Sequence, residues 1–239
     1  CLAPAAFAGN AVTPLALGQK AQGLMIVDHD RPMVSLQLSF LYAGGVSDPE
    51  DQSGRANLAA QLLMDGAGEE DGQAFRQLLE SKAIKLGAAA SQDNLSVSLK
   101  TLSHELPEAI RLLTLMLTQP RFEAEALARK QEEIRTDLRQ AAEDPDWLAG
   151  TTWAKKAYGN HPYARNLQGT EESVSALTRA DVVAWHEQAL SQDRLRIAAV
   201  GDVTAEKLTE LLQPLINALP ESSKLTIPTD APTPSLNLA

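Results

Sequence analysis

Histidine, cysteine and carboxylate side chains are the groups in this sequence that could hold a metal ion or transfer protons. The 239 residues include one cysteine, Cys1, and four histidines, His29, His104, His161 and His186. Two histidines four residues apart on a helix share one face and can bind zinc together. No two histidines here have that spacing. We therefore expect surface or packing roles for all four, and we expect Glu132-Glu133 and Glu171-Glu172 to be solvated helix charges.

The composition indicates a folded, acidic protein. Hydrophobic residues make up 44% of the chain and charged residues 22%, which is enough apolar material for a core. The 21 Lys and Arg against 31 Asp and Glu give a net charge of −10. That charge repels phosphate backbones and anionic lipid, so we predict no nucleic-acid partner. The sequence has no apolar stretch of about 18 residues, so no transmembrane segment is predicted. A single cysteine excludes a disulfide framework within the chain.

Alternation of apolar and polar residues predicts about five strands. Gly23–Asp28 and Pro32–Tyr42 are expected to form a β-hairpin with His29 at its turn. Leu86–Ala90 and Asn94–Leu102 are expected to form a second pair, and Arg194–Gly201 a fifth strand.

About seven helices are predicted around these strands. They span residues 54–64, 71–83, 105–117, 123–142, 147–158, 178–190 and 204–218. Ser53, Thr178 and Thr204 are the expected N-caps, and Asp144-Pro145 ends the fourth helix. The fold class is α+β, with helices layered on a largely antiparallel sheet.

Both ends of the chain differ in composition from the middle. Residues 1–21 are an expected lead-in, whose Ala6-Phe7-Ala8 matches a signal-peptidase site. Cys1 could instead be the lipid-anchored first residue of a mature protein, or the chain could start at an arbitrary point. Either of the first two interpretations predicts export, to the bacterial periplasm. Residues 220–239 are rich in proline and predict an interdomain linker, which leaves 22–219 as the domain.

Several short strings carry a resemblance to a known family. They are Val27–Val34, Ala43–Pro49 before Ser53-Gly54, Pro120–Phe122, Asp144-Pro145, Tyr158–Tyr163, Leu177-Thr178 and Val200–Val203. In order and spacing they resemble the M16 peptidases, the pitrilysin, insulinase and mitochondrial-processing-peptidase family, from about residue 22 to 220. The resemblance implies repeated α+β domains that are joined by a linker and close around a peptide. This chain is similar to the N-terminal domain of a member without the zinc motif.

The resemblance also locates a site. The family's first helix carries His-x-x-Glu-His, in which two His hold zinc and the Glu takes a proton from the bound water. The matching positions here are Asn57, Ala60 and Gln61. A later helix supplies a Glu ligand in the family, which matches Asp137, and a helper Glu, which matches Lys130. Alanine has no group to accept a proton, and neutral carboxamides are poor zinc ligands. No catalytic, cofactor or metal residue is therefore expected, and attraction between Lys130 and Asp137 could replace the ion.

Three functions follow from the resemblance. The first is a non-catalytic subunit that pairs with an active, zinc-bearing M16 partner and contacts peptide substrate through the complex. Zinc is then expected only in the partner. The second is an unconventional zinc metallopeptidase that uses Asp137. The third is an envelope binding or scaffold protein that uses the fold without a peptidase partner.

Overall fold

The computed structural model describes residues 11–227, which contain eight strands of two to nine residues. They are β1 (Val12–Leu15), β2 (Gln22–Val27), β3 (Met33–Leu41), β4 (Gly66–Ala67), β5 (Glu70–Asp71), β6 (Lys85–Ala90), β7 (Asn94–Leu102) and β8 (Leu195–Gly201). Six of them form one sheet in the order β1-β2-β8-β3-β7-β6, and β4 pairs with β5.

Eight α-helices accompany the sheet within the same described range. They are α1 (Arg55–Leu62), α2 (Gly72–Ser81), α3 (Leu106–Thr118), α4 (Ala124–Ala141), α5 (Pro145–Tyr158), α6 (Glu171–Ala176), α7 (Arg179–Ala189) and α8 (Ala205–Ala218). No helix in residues 11–227 combines the length and the apolar character needed to cross a membrane. The α+β class predicted from the sequence is confirmed, with one more helix than expected.

The predicted hairpin of the second and third strands is wrong. Strand β8 lies between β2 and β3, parallel to β2 and antiparallel to β3. The sheet is therefore mixed, and His29 lies in a connection between two strands that are not neighbours. Period-two alternation identifies a strand but not its partner, because the partner here comes from the last third of the chain. The second predicted pair, β6 with β7, is an antiparallel pair as expected.

Strand β1 was missed, because it falls in the predicted lead-in. It pairs with β2 along Val12↔Ile26 and Pro14↔Leu24. Proline has no N–H to donate, so it is tolerated here because β1 is an edge strand. Residues 1–10 of the predicted lead-in, which include Cys1 and Ala6-Phe7-Ala8, lie outside the described residues, as do residues 228–239 of the predicted linker.

One face of the sheet forms the core. Its side chains, among them Met25, Leu36 and Phe40, are fully or almost fully buried together with Phe75 and Trp185 of the helices. Two of the three predicted N-caps are confirmed. The Thr178 side chain accepts from the Asp181 N–H, and the Thr204 side chain accepts from the Lys207 N–H.

Candidate functional site

Helix α1 carries three of the positions located by sequence, and the loop before it fixes where it begins. Gly54 has a left-handed φ of 94°, and a Cβ at this position would lie 2.5 Å from the Gln168 carbonyl oxygen. Ser53 does not cap the helix, contrary to the sequence prediction. The cap comes from Asp48, whose two carboxylate oxygens each lie 3.2 Å from the Ala56 N–H nitrogen. A glycine turn and a distant carboxylate therefore orient α1.

The Asp48 carboxylate is an unusual capping group because it is almost fully buried. Burial raises its pKa to about 6, although the Ala56 N–H and the nearby Arg55 charge oppose that rise. The Arg55 Nε lies 3.5 Å from the Asp48 Oδ1, and the Arg55 Nη1 donates to the Gln52 Oε1 at 2.8 Å. A buried charge pair of this kind fixes the loop but costs desolvation energy.

Helix α6 joins α1 to α4. It is absent from the predicted helix ranges, although Glu171-Glu172 were expected to be helix charges. The Ser173 hydroxyl donates to the Ser53 carbonyl at 2.8 Å, just before α1. From α4, the Gln131 amide donates to the carbonyls of Val174 and Leu177 at 2.7 and 2.9 Å. Thr170 and Ser173 form a reciprocal capping box at its start. The local signal in the sequence is Thr170, a favoured N-cap residue, followed by Glu171 and Glu172 in the first turn.

The three α1 positions differ in their exposure. Asn57 and Gln61 are half-buried and lie one turn apart on the same side of the helix. Ala60 has no exposed surface. The Asn57 Nδ2 is buried and has no hydrogen-bond partner among the described residues. Asparagine is uncharged at both ends of its carboxamide, and a neutral carboxamide is a poor partner for a zinc ion.

The fourth position, Asp137, lies on an exposed part of α4. The Lys130 Nζ is 2.6 Å from the Glu133 Oε2, so the ion pair that Lys130 forms is with Glu133 and not with Asp137. The Lys130–Asp137 ion pair suggested by the sequence is therefore not formed, and Lys130 pairs instead with Glu133, three residues further along α4.

A buried carboxylate at the end of α1 was not identified from the sequence. Asp65 is 5% exposed, and its Oδ1 accepts from the Arg129 Nη2 at 2.6 Å and from the Arg76 Nη1 at 3.3 Å. Arg129 belongs to α4 and Arg76 to α2, so this carboxylate ties three helices together. Its contacts are with residues distant in the sequence, and no local motif predicts them.

Whether zinc fits this site depends on its donors. The positions offer two carboxamides, one methyl group and one exposed carboxylate, whereas zinc favours imidazole, thiolate and carboxylate. Across residues 11–227 there is no group of three or more His, Cys, Asp or Glu that could hold a metal ion. The donor set does not fit zinc.

The four histidines lie apart from this site. The His29 Nδ1 is 2.6 Å from the Asp202 Oδ1 at the surface. The His161 side chain accepts from the Tyr163 N–H. His186 is hydrogen-bonded to the Leu117 carbonyl at 2.8 Å, and burial lowers its pKa. His104 is exposed and precedes α3, as expected.

Comparison with protein families gives two matches. The family described as insulinase (peptidase family M16) matches residues 24–171. The family described as peptidase M16 inactive domain matches residues 176–238. The first match covers β2 from Leu24 onward, strands β3 to β7 and helices α1 to α5.

Two curated relatives illustrate the range of similar proteins. The non-peptidase homolog YmxG of Helicobacter pylori is 31% identical over 194 residues, which are 81% of this chain and 45% of that protein. The mitochondrial-processing peptidase subunit beta of Neurospora crassa is 21% identical over 77% of this chain and 39% of its own length. The chain thus spans less than half the length of these relatives.

Solved structures agree in fold. The peptidase M16 inactive domain from Pseudomonas fluorescens superposes with a TM-score of 0.85 at 27% identity, over 93% of this chain and 54% of that one. Pitrilysin superposes with a TM-score of 0.80 at 16% identity, over 95% of this chain and 25% of its own, which shows a shared fold alone. With a family match over more than half of its residues, and with the same arrangement of sheet and helices, this chain belongs to peptidase family M16.

Proposed function

We propose that this chain is a non-catalytic M16 subunit, which pairs with an active, zinc-bearing M16 partner and helps to form its peptide-binding chamber. The observation that carries the proposal is the composition of α1. Asp48 caps α1 and six of the eight residues of this helix are buried, yet position 60 holds a buried methyl group between two carboxamides. A general base typically contributes about 10² to 10⁴ in rate, and an alanine contributes none of it.

The preserved scaffold supports a role in binding. Asp48, Ser173 and Gln131 still hold α1 against α6 and α4. Such a framework keeps a surface in place even where the side chains on it cannot perform chemistry. A subunit whose task is to present a surface needs an intact fold but no catalytic side chains.

The relatives are consistent with this division of roles. One of them is called a non-peptidase homolog, and another is called a subunit of a processing peptidase. Along α4, a shallow cavity of about 380 Å³ is lined by Arg129, Glu132, Glu133, Thr136 and Asp137. Its mixture of charges could contact the backbone and polar side chains of a peptide.

Co-expression with an M16 protein that has an intact His-x-x-Glu-His tests the proposal. Cleavage of an internally quenched peptide is measured for the chain alone, for the partner alone and for the two together. We expect no cleavage by the chain alone and a turnover at least about tenfold higher for the pair than for the partner alone, because substrate positioning is a large part of catalysis. Size-exclusion chromatography should show a stable complex.

A matched pair of variants separates the alternatives. Asp137→Asn in α4 and Asp146→Asn in α5 each remove one exposed carboxylate. Asp146→Asn should change the turnover of the pair by no more than about twofold, since an isolated surface charge contributes little, whereas Asp137→Asn, in the cavity along α4, should lower the turnover without abolishing it. Stoichiometric zinc in the chain alone, with chelator-sensitive cleavage that Asp137→Asn abolishes, would establish the metallopeptidase alternative. Association with proteins other than peptidases, and none with an M16 partner, would establish the scaffold alternative.

A further inference from the structure

A cavity of about 780 Å³ lies between the end of α5 and the loop that precedes α1. Residues 46–50 of that loop line it, together with Lys155 of α5, most of the connection 159–165 and the pair Thr226-Ile227. Its volume is that of a site for a small molecule. No residue of α1 or α4 lines it, so it is separate from the four positions located by sequence.

The wall that follows α5 is a tight turn held by hydrogen bonds. Gly159 has a φ of 56° and a ψ of −117°, the conformation of the first central residue of a type II′ turn, which favours glycine. The His161 N–H closes this turn by donating to the Tyr158 carbonyl at 3.0 Å. Further along, the Tyr163 hydroxyl donates to the Asp93 Oδ1 at 2.6 Å. A wall that is ordered before a ligand binds lowers the entropic cost of binding.

Three side chains that line the cavity are hydrogen-bond donors. The His161 Nδ1 accepts from the Tyr163 N–H at 3.2 Å, so the neutral imidazole carries its proton on Nε2. The Arg165 Nη1 donates to the Asp48 carbonyl at 2.9 Å, and the other guanidinium nitrogens donate to no atom of the described residues. Lys155, the third donor, is exposed. The lining therefore offers an imidazole, a guanidinium and an ammonium group.

The two cations have no counter-ion in the part of the chain that the structure describes. No carboxylate there lies within 4 Å of Lys155 or Arg165. A half-buried guanidinium is costly without a partner. Of the carboxylates on the lining, Asp48 is directed at the Ala56 N–H of α1, and Glu50 is exposed. The charge that the cavity lacks is therefore negative.

We propose that this cavity binds a carboxylate or phosphate anion, with the Arg165 guanidinium, the Lys155 ammonium and the His161 Nε2 as donors. The planar fork of arginine matches both anions, since it can form parallel hydrogen bonds to two of their oxygens. The inference does not depend on the proposed function, because it rests on the end of α5 and not on the α1 positions.

The anion has two possible sources. One is a free small molecule, and the other is a carboxylate of this chain. Ile227 lines the cavity, and Asp230 follows it by three residues, which span about 10 Å when extended. The experiment therefore has one arm for each source.

Isothermal titration calorimetry of the full chain tests the proposal, with citrate and inorganic phosphate as probes. Sodium chloride keeps the ionic strength constant, because salt screens exposed charges. We expect saturable binding of citrate at a ratio of about one per chain. If the carboxylate of Asp230 competes for the cavity, Asp230→Asn should bind citrate at least about threefold more tightly than the unmodified chain. Equal affinity of the two would assign the cavity to a free anion.

Variants with a matched control locate the site. Arg165→Lys keeps the charge but removes the fork, and it should weaken citrate binding by at least about fivefold. Lys155→Gln should weaken it by about threefold. Lys156→Gln, at an exposed neighbour that does not line the cavity, should change it by less than about twofold. Glu50→Gln should strengthen binding, because it removes a repelling charge. Circular dichroism checks that each variant is folded.

Three results would overturn the proposal. The first is no saturable binding of citrate or phosphate by either the unmodified chain or Asp230→Asn. The second is an equal loss of affinity in Lys155→Gln and Lys156→Gln, which would indicate attraction by the general charge of α5. The third is an unchanged affinity in a folded Arg165→Lys variant.

Discussion

At the scale of single residues, Ala60 and its neighbours determine what α1 can do. The Ala60 methyl group has no exposed surface, whereas Asn57 and Gln61 are half-buried one turn apart. A glutamate at position 60 would have to bring a charge into a buried site, which is costly unless a cation or hydrogen bonds compensate it. The two flanking positions tolerate larger polar side chains because part of each is already exposed.

Introducing histidine at positions 57 and 61 should therefore allow zinc binding without allowing peptide cleavage. We expect Asn57→His with Gln61→His and Asp137→Glu to bind zinc at a ratio approaching one, measured by inductively coupled plasma mass spectrometry after dialysis. Two imidazoles at i and i+4 with one carboxylate are a zinc-binding set. Peptide cleavage should stay absent, because position 60 still lacks a base.

The control for this variant is Asn57→Ala with Gln61→Ala and Asp137→Ala, which changes the same positions without adding ligands. It should bind no stoichiometric zinc. Zinc bound at a ratio of one by the unmodified chain would contradict our interpretation of the α1 positions.

Asp48 makes stability depend on pH in an unusual direction. Burial raises its pKa from 3.8 to about 6, so the native state binds a proton more tightly than the unfolded state. Its contribution to stability is then fully present below about pH 4 and is lost as pH rises through about 6. The shift corresponds to about 3 kcal/mol. Relative to the unmodified chain, Asp48→Asn should become more stable by about this amount between pH 4 and pH 7, as measured by urea denaturation at each pH.

Asp71→Asn is the matched control, because Asp71 caps α2 by accepting from the Gln73 and Ala74 N–H groups. Those hydrogen bonds lower its pKa, so its contribution has the opposite sign and is lost as pH falls. If both variants showed the same dependence on pH, the assignment of a raised pKa to Asp48 would be wrong.

At the scale of helices and strands, local signals were sufficient for the long helices and insufficient for the sheet. All seven predicted helices, which correspond to α1 to α5, α7 and α8, lie within two residues of their predicted bounds, because caps and apolar periodicity are local. The pairing of β8 between β2 and β3 joins segments far apart in sequence, and no local period contains that information. Strand β1 falls in the predicted lead-in, and its four residues are too few to show a periodic pattern that would correct that assignment.

The candidate site likewise has a part that the sequence predicts and a part that it does not. Its positions on α1 and α4 could be located from short sequence motifs, whereas the residues that hold those helices in place could not. Ser173 and Ser53, for example, are hydrogen-bonded across 120 residues. The burial of Asp48 and Asp65 could not be predicted either, since burial depends on the complete fold.

Two glycines test how tightly α6 is joined to the start of α1. Gly169 has a φ of 81°, and a Cβ there would collide with the Ser53 carbonyl. Gly169→Ala should therefore cost at least about 2 kcal/mol in the free energy of unfolding. Gly150 lies inside α5 with nothing within 4 Å of a Cβ. Gly150→Ala should stabilise the protein by about 0.5 to 1 kcal/mol. Chemical denaturation of both variants measures the difference, and equal effects would contradict the close approach of residues 53 and 169.

At the scale of the whole molecule, the helices are unequally anchored. Ala157 is the single buried residue of α5, whereas seven of the thirteen residues of α3 are buried. Local opening is favoured where few apolar contacts must be broken. We expect α5 amides to exchange with deuterium at least about 100-fold faster than those of α3, measured by mass spectrometry. Equal protection of the two helices in the isolated chain would contradict this.

The position of β8 determines the order in which the sheet can be completed. The half with β1 and β2 and the half with β3, β7 and β6 have no hydrogen bonds to each other except through β8. During synthesis, both halves must therefore wait until residues 195–201 emerge, with the edges of β2 and β3 exposed until then. Non-local pairing of this kind slows folding and leaves strand edges open to aggregation. A chain truncated before Leu195 would be a substrate for chaperones rather than a smaller version of the domain.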